Sequence, residues 1–316
     1  MKRFIIKIVS AVVVFVFVLI SLYLVNRYLA NFRIEDDKRI LIVGNSHPEC
    51  AFNDKLISGV ANFSESGEAY FYTYIKLKKL LEQNPQVNMV LIEFSNEHIR
   101  KGMDKWIWGD MYVSYRFPKY ASFMDREDLE LLLKYNPEKV KESTPVLSRL
   151  NANMLINYKL DYTEVTGGYL SLDKCDVDSL IVDVSDDKRR ERPGGDSLAI
   201  ESLHYLDKLI KYSEQKGVEV LLIRSPVHEE CISLQNEQLF QTVRLSKYPN
   251  IEFLDFLKYP LIDEEFADLS HLNKKGAEKF SVWFSQLLKD GLMESTDRQD
   301  FIDNRLAKIQ GIKLYD

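Results

Sequence analysis

The sequence has few of the residues that mark special classes of protein. Its three cysteines, Cys50, Cys175 and Cys231, are too few and too scattered for a disulfide framework or a zinc site. Its 13 glycines and 9 prolines in 316 residues exclude a collagen-like chain. A large excess of one charge is also missing, since the formal charge is −6, and this charge does not favour nucleic acid as a partner. The 46% of apolar residues is typical of a globular protein rather than a disordered one.

One hydrophobic segment differs from the rest of the chain. Residues 8–25 read IVSAVVVFVFVLISLYLV and carry no charge. A helix of this length spans roughly 27 Å, close to the thickness of a hydrocarbon core. A cleaved signal peptide needs small residues at its cleavage site, and Tyr28 two residues before Ala30 is a poor match. We therefore predict an uncleaved, single-pass transmembrane signal anchor over residues 1–30, with a cleaved signal or a buried core helix as alternatives.

Predicted strands and helices alternate along the remaining chain. Short apolar runs predict buried strands at residues 39–44, 87–94, 218–224 and 251–256. Apolar residues at helical spacing predict helices at residues 69–82, 200–216 and 234–246, and Asn273 is placed to cap a final helix. This alternation predicts an α/β fold with three layers, α/β/α, around a central parallel sheet. Such sheets place their ligands at the carboxyl ends of the strands.

One long segment interrupts the alternation. Residues 100–197 are too long for an ordinary connection, so we predict an inserted, largely helical cap with a flexible stretch near residues 183–197. The predicted organisation is therefore the anchor, an α/β domain over residues 38–292 that carries this cap, and a C-terminal tail at residues 293–316.

The first predicted strand ends in a serine-containing turn, Gly44-Asn45-Ser46-His47. A serine between a strand and a helix is exposed, and the helix start supplies free backbone N–H groups. This geometry suits a nucleophile whose tetrahedral intermediate needs an oxyanion hole. By itself such a turn more often holds a serine that only caps the next helix.

A base for such a serine lies near the C-terminal end of the chain. His271 follows Asp268 by three residues in a loop, so the carboxylate can reach Nδ1 and leave Nε2 to accept the serine proton. The same spacing is common in proteins where it has no function.

Four blocks of sequence, in one order, make the chain similar to the SGNH, or GDSL-like, family of serine esterases and acyltransferases. The blocks are residues 40–47 around Ser46, residues 62–67, which end at Gly67, residues 92–97 around Asn96, and residues 268–277 with Asp268 and His271. The resemblance implies the SGNH-hydrolase, flavodoxin-like form of the α/β fold. It also implies a triad of Ser46, His271 and Asp268, and an oxyanion hole of Ser46 N–H, Gly67 N–H and the Asn96 side chain.

The blocks depart from the family pattern at three positions. Asn45 stands where the family often has aspartate, Phe94 where it usually has glycine, and Glu97 where it usually has aspartate. No departure removes a triad or oxyanion group, so the resemblance still implies an active site.

The anchor and these blocks together resemble the membrane-anchored SGNH proteins that assist D-alanylation of lipoteichoic acid, and the SGNH domains that O-acylate surface polysaccharides. This implies serine-dependent acyl transfer or ester hydrolysis on a bacterial cell-envelope glycan, through an acyl-Ser46 intermediate and without a metal or cofactor. The implied partners are an acylated or acyl-accepting glycan, the membrane and a membrane acyltransferase, with the catalytic domain outside the cytoplasm. The flanking basic residues do not decide this orientation. The alternative is a non-catalytic envelope protein that uses the fold to bind glycans or assist assembly.

Several residues outside the blocks are also candidates for the site. His228 follows the third predicted strand, and three roles are open for it: substrate binding, competition with His271 as the base, or a structural role. Trp106 and Trp108 begin an aromatic-rich stretch. Its side chains are expected to form the core of the cap, to line a site for a sugar ring or acyl chain, or to form a surface that rests on the membrane. We expect His47 to point away from the site. The basic run at residues 188–192 would be a solvated loop or would meet phosphate on an anionic lipid or polymer.

Overall fold

The computed structural model describes residues 2–177, 197–309 and 311. Its central sheet contains β1 (Ile40–Val43), β2 (Val60–Asn62), β3 (Met89–Glu93), β4 (Glu219–Arg224) and β5 (Phe253–Asp255). All neighbouring strands are parallel, in the spatial order β2-β1-β3-β4-β5. This order changes direction where β1 lies beside β3, and in such sheets the ligand crevice opens at that point. The strands β6 (Phe266–Asp268) and β7 (His271–Leu272) form a separate antiparallel hairpin.

The helices lie between and around these strands. They are α1 (Lys2–Leu29), α2 (Ser46–Ala51), α3 (Tyr70–Gln83), α4 (Lys105–Trp108), α5 (Asp110–Tyr120), α6 (Arg126–Tyr135), α7 (Pro137–Ile156), α8 (Ile200–Gln215), α9 (Glu237–Lys247), α10 (Lys274–Lys289) and α11 (Arg298–Ile309). Short 3₁₀ turns occupy Asp54–Leu56, Lys101–Asp104, Ala121–Phe123, Ile232–Asn236, Asp263–Glu265 and Leu292–Glu294.

The strands bury side chains on both faces, which is why they appear as continuous apolar runs. Alternate residues of β1 show the division: Leu41 and Val43 join one core with α3 and α8, whereas Ile42 joins the other with α10. The architecture is therefore the three-layer α/β/α fold that the sequence predicts.

The edge strand β2, the β6–β7 hairpin and helix α11 were not predicted from the sequence, and the hairpin lies where a loop was expected. The edge strand β2 has three residues, too short to show a pattern. The segment predicted as a tail contains α11, whose Ile302 and Leu306 are buried in the second core. The apolar pattern of α11 is short and follows polar turn residues, so it does not indicate a helix by itself. Packing against the sheet gives α11 its buried face.

The segment between β3 and α8 contains helices α4 to α7, as expected for a helical cap. Its α5 and α7 pack on the same core as α3, so this part of the cap is continuous with the α/β domain. The predicted flexible stretch lies outside the described residues except for Ser197, and the basic run at residues 188–192 lies wholly outside them.

Helix α1 is long and apolar enough to span a membrane. Its last turns pack on the cap. Asn26 is fully buried there, and its amide donates to Asn151 Oδ1 at 2.8 Å and to the Tyr162 hydroxyl at 2.6 Å. The guanidinium of Arg27 donates to the carbonyl oxygens of Ser122 and Met124. The helix therefore continues directly into the folded domain.

Candidate active site

Ser46 is the first residue of α2 and follows β1 through a tight turn. A Cβ on Gly44 would lie 2.5 Å from Glu93 Cβ and 2.8 Å from Pro48 Cγ, so only glycine fits at this close approach. Asn45 caps the helix, because its side-chain oxygen accepts the His47 N–H at 3.1 Å. Asn45 is thus the N-cap residue of α2, at the position where the SGNH family, which the sequence resembles, often has aspartate. The N–H of Ser46, in the first turn of the helix, has no acceptor within it.

His271 joins Ser46 to Asp268. Its Nε2 lies 2.7 Å from Ser46 Oγ, and its Nδ1 lies 2.8 Å and 3.0 Å from the two carboxylate oxygens of Asp268. A carboxylate at Nδ1 requires a proton there, which leaves Nε2 free to accept the hydroxyl proton of Ser46. The structure therefore brings the three predicted triad residues into one hydrogen-bonded chain.

Asp268 is held in its ionised form. Partial burial raises its pKa, but the hydrogen bond and the charge of His271, the Ser270 N–H and the charge of Lys174 outweigh this and lower the pKa to about 2. Lys174 Nζ lies 3.6 Å from Asp268 Oδ2, on a segment that passes beside the β6–β7 hairpin. Asp268 remains an anion throughout the neutral range and can orient the imidazole.

The hairpin that carries Asp268 and His271 is attached to the start of α10. Asn273 accepts the N–H groups of Lys275 and Gly276, and its amide donates to the carbonyl oxygens of Glu264 and Phe266. A Cβ on Gly276 would lie 2.1 Å from the Glu265 carbonyl oxygen, so this glycine permits the close contact. The Asn-x-x-Gly spacing after the histidine is explained by this attachment, and the predicted cap at Asn273 is confirmed.

Gly67 lies on the loop between β2 and α3, which we call the oxyanion loop (residues 65–68) after the role predicted for Gly67. The loop lies beside the Ser46 turn, because Glu65 N–H donates to the Gly44 carbonyl at 3.0 Å and the Ser66 hydroxyl donates to Glu49. Gly67 has φ +65°, a left-handed conformation that favours glycine. Within the described part of the chain, its N–H donates to no backbone or side-chain acceptor. The structure thus leaves this N–H available to a ligand.

Asn96 follows β3 and is buried, with its side chain already engaged. Its Oδ1 accepts from Arg224 at 2.9 Å, and its Nδ2 donates to Glu237 Oε2 at 2.7 Å. Arg224 also binds Asp255 through two hydrogen bonds, so the amide orientation is determined by a charged network. The predicted role of Asn96 as an oxyanion donor therefore rests on its second amide proton alone.

His228 lies behind the hairpin rather than in contact with Ser46. Its Nε2 is 3.1 Å from Asp263 Oδ1, and its Nδ1 accepts the Glu230 N–H at 3.1 Å. Its backbone N–H donates to the Leu269 carbonyl. Both ring nitrogens are engaged within the protein, which favours the structural alternative for His228 over substrate binding or a role as base.

The two tryptophans of α4 have different surroundings. Trp106 stacks on Tyr112 with ring centroids 5.5 Å apart, and Tyr112 Cε1 lies 3.4 Å from where a Cβ on Gly67 would stand. Trp108 instead stacks on Tyr135 of α6 at 4.0 Å. The structure places Trp106 in an aromatic surface that reaches the oxyanion loop, whereas Trp108 packs within the cap.

His47 lies beside the site, contrary to our expectation. Its ring centroid is 5.7 Å from that of His271, and its two nitrogens lie 3.7 Å from Glu93 and 3.7 Å from Glu97. Burial lowers the pKa of His47, but the two carboxylates, with Asp268, outweigh this and raise the pKa overall. Sequence reasoning missed this pairing because Glu97 lies fifty residues away; its position in the third block was the available signal.

Among the described residues, no group of three or more His, Cys, Asp or Glu side chains is arranged to hold a metal ion. The three cysteines are free, and Cys50 and Cys231 are buried.

Comparisons with known proteins add little to this geometry. A protein-family model that names no activity matches residues 179–293. No curated protein matches the sequence. A solved structure from Streptococcus pneumoniae, provisionally described as a platelet activating factor, is 14% identical with a TM-score of 0.40, over 89% of this chain and 98% of that one. A GDSL-like lipase from Bacteroides thetaiotaomicron is 11% identical with a TM-score of 0.35, over 85% and 96%. Neither likeness is close enough to indicate an activity.

Proposed function

We propose that this chain is a serine-dependent enzyme that hydrolyses or transfers acyl esters on a bacterial cell-envelope glycan. The observation that carries the proposal is the hydrogen-bonded chain from Ser46 Oγ through His271 to Asp268. A serine that only caps a helix needs no imidazole at 2.7 Å with a carboxylate behind it.

In the first half of the reaction, Ser46 Oγ attacks the acyl carbonyl carbon while His271 Nε2 takes the hydroxyl proton. Asp268 stabilises the imidazolium that forms. The negative charge that develops on the carbonyl oxygen is stabilised by the Ser46 N–H and the Gly67 N–H, with Asn96 as the third donor. The tetrahedral intermediate collapses when the ester C–O bond breaks, and His271 gives its proton to the leaving alkoxide.

In the second half, water or a sugar hydroxyl attacks the acyl-Ser46 ester. His271 takes the proton of the incoming hydroxyl and returns it to Ser46 Oγ as the acyl bond breaks. Both acceptors use the same residues, so hydrolysis and transfer share one mechanism at this site.

Two features support a substrate at the cell envelope. Helix α1 has the length and composition of a membrane span and packs directly on the cap. The Trp106 and Tyr112 surface beside Gly67 suits the apolar face of a sugar ring. A membrane acyltransferase that supplies the acyl group is part of this proposal, and the domain then lies outside the cytoplasm.

The test is covalent labelling with a fluorophosphonate, together with ester turnover. We expect wild-type protein to be labelled on Ser46, and Ser46→Ala and His271→Ala each to remove nearly all turnover, with little further loss in the double variant. His204→Ala is the matched control, because His204 is exposed on α8. A protein that binds glycans but is not labelled, and whose affinity is unchanged in Ser46→Ala, is a binding or assembly module instead.

A further inference from the structure

Two cations of the cap contact the oxyanion loop. Arg116 and Lys119 lie one turn apart on α5, and both side chains are buried. Arg116 donates to the Ser66 carbonyl oxygen at 2.6 Å. Its other terminal nitrogen lies 3.2 Å from Glu65 and 3.4 Å from Glu68.

Lys119 contacts the same loop in a different way. Its Nζ donates to Glu65 Oε1 at 2.7 Å and to the Val165 carbonyl oxygen at 2.8 Å. Lys119 thus neutralises a carboxylate of the loop without a hydrogen bond to the loop backbone. The two cations of α5 therefore share the electrostatic task but not the contact with the Ser66 carbonyl.

The contact with the Ser66 carbonyl has a direct geometric consequence. The Ser66 carbonyl and the Gly67 N–H belong to one trans peptide unit, so they point in opposite directions. A guanidinium that binds the oxygen therefore determines where the N–H points. It also draws electron density toward the oxygen, and hydrogen bonds that share a peptide unit strengthen one another in this way.

The charges around the loop are balanced only with the cap in place. Glu49, Glu65 and Glu68 supply three carboxyl groups, and Lys76 of α3 binds Glu68 at 2.6 Å. Burial raises the pKa of Glu65, but Arg116, Lys76 and Lys119 outweigh this and lower the pKa to about 2. A buried carboxylate left without its cation is strongly destabilising, so the cap and the loop must fold together.

We propose that Arg116 is a positioning residue for the oxyanion hole, which acts by orienting and polarising the Ser66–Gly67 peptide unit. The cap is then part of the machinery that stabilises the transition state. This inference rests on the proposed function, because it takes the Gly67 N–H as an oxyanion donor.

The test compares Arg116→Met with Lys119→Met in the full-length protein. Each removes one buried positive charge from α5, but only the first removes the bond to the Ser66 carbonyl. We expect Arg116→Met to lower kcat about tenfold to a hundredfold with KM nearly unchanged, because the loss of an oxyanion donor acts mainly on the transition state. A boronic acid that forms a tetrahedral adduct with Ser46 should lose affinity by a similar factor. Lys119→Met should keep both values within about threefold.

Arg116→Lys is a second test variant, which keeps the inference testable if Arg116→Met does not fold. It keeps the buried charge, but one ammonium cannot reach both carboxylates and the carbonyl in the manner of a guanidinium. We expect it to fold, with a smaller loss of melting temperature than Arg116→Met, and to show a lower kcat and weaker boronate affinity. Full kcat in Arg116→Lys or Arg116→Met, or equal losses in Arg116→Met and Lys119→Met, would overturn the inference. A wild-type protein that is not labelled on Ser46 refutes the proposed function itself, and the inference with it.

Discussion

Two histidines lie at the site with their ring centroids 5.7 Å apart, and their partners differ. His271 has Asp268 at Nδ1 and Ser46 at Nε2, which is the arrangement of a general base. His47 has Glu93 and Glu97 at its two nitrogens, which raise its pKa and favour the protonated form. Of the two, His271 makes the hydrogen-bond contact with Ser46 Oγ, so the geometry selects His271 as the base.

Asn96 allows a test of the oxyanion hole at the level of one amide. We predict that Asn96→Ala lowers turnover about a hundredfold and leaves KM almost unchanged, because its donor acts on charge that develops only in the transition state. Folding should persist, since Arg224 keeps its contacts with Asp255 and Glu237. Steady-state kinetics and a melting curve measure both effects.

Asn236→Ala is the matched control for this variant. The Asn236 side chain donates to the Asn96 backbone carbonyl. Asn236→Ala therefore disturbs the same loop but leaves the Asn96 side-chain amide in place. Full turnover in Asn96→Ala would show that the amide is structural only, as would equal effects of the two substitutions.

Glu49 gives a prediction about pH. Burial raises its pKa from 4.5 to about 7, and the Glu65 carboxylate adds to this, whereas the Ser66 hydrogen bond and Lys76 oppose it. Glu49 keeps its proton to a higher pH in the folded protein than in the unfolded chain. Its contribution to the free energy of unfolding is therefore complete below pH 4.5 and is lost as the pH rises through about 7. We predict a loss of at most about 3 kcal/mol over this interval. Urea unfolding between these pH values measures it.

Glu49→Gln should remove this pH dependence, because the amide carries no titrating proton. The wild-type stability should fall with rising pH relative to that of Glu49→Gln. Parallel curves for the two proteins would contradict the assignment of the titration to Glu49.

At the scale of elements, the β6–β7 hairpin and α10 behave as one unit. Two residues separate His271 from Lys274, the first residue of α10. Asn273 bonds both the helix N-terminus and the carbonyl oxygens of Glu264 and Phe266, just before and at the start of β6. Gly276 allows the helix to approach the Glu265 carbonyl closely. The position of the proposed base therefore depends on a helix cap.

We predict that Asn273→Ala destabilises the protein by about 1–2 kcal/mol and also lowers kcat, because it releases both the cap and the hairpin. Asn136→Ala is the matched control, since Asn136 is the N-cap residue of α7 in the inserted helical segment, away from the hairpin. It should cost a similar amount of stability without a comparable change in kcat. Unfolding curves and turnover separate the two effects, and an unchanged kcat in a folded Asn273→Ala would contradict the proposed coupling.

At the scale of the whole molecule, α1 is joined to the cap without a flexible linker. Asn26 is buried against Asn151 and Tyr162, and Asn31 pairs with the backbone on both sides of Asp161. A membrane span at α1 would therefore hold the cap, and the site beneath it, at one height above the bilayer.

We predict that a reporter active only outside the cytoplasm, fused after Asp316, is active in cells. The expectation follows from the proposed envelope substrate, since the basic residues on both sides of α1 do not decide orientation. A second reporter that is active only in the cytoplasm, fused at the same position, is the control. Activity of the cytoplasmic reporter alone would remove the envelope-glycan substrate.

The sequence by itself determined the features that depend on neighbours along the chain. Apolar runs and their periodicities predicted four strands of the sheet and the helices between them. A turn glycine and a three-residue spacing made Ser46 and the Asp268–His271 pair candidates, and the resemblance of four sequence blocks to the SGNH family implied that they form a triad. These features depend on local hydrogen bonds and side-chain direction, which act over a few residues.

Only the tertiary structure decided which distant residues meet. The family resemblance implied that Ser46 and His271 meet, but they are 225 positions apart, and their 2.7 Å contact results from strand order and from the attachment of the hairpin to α10. The Arg116 contact with the Ser66 peptide, the engagement of Asn96 by Arg224 and the placement of His47 between two glutamates arise in the same way. No periodicity encodes them, because buried charges find their partners through the packing of separate elements, and a pattern along one element does not specify the element that packs against it.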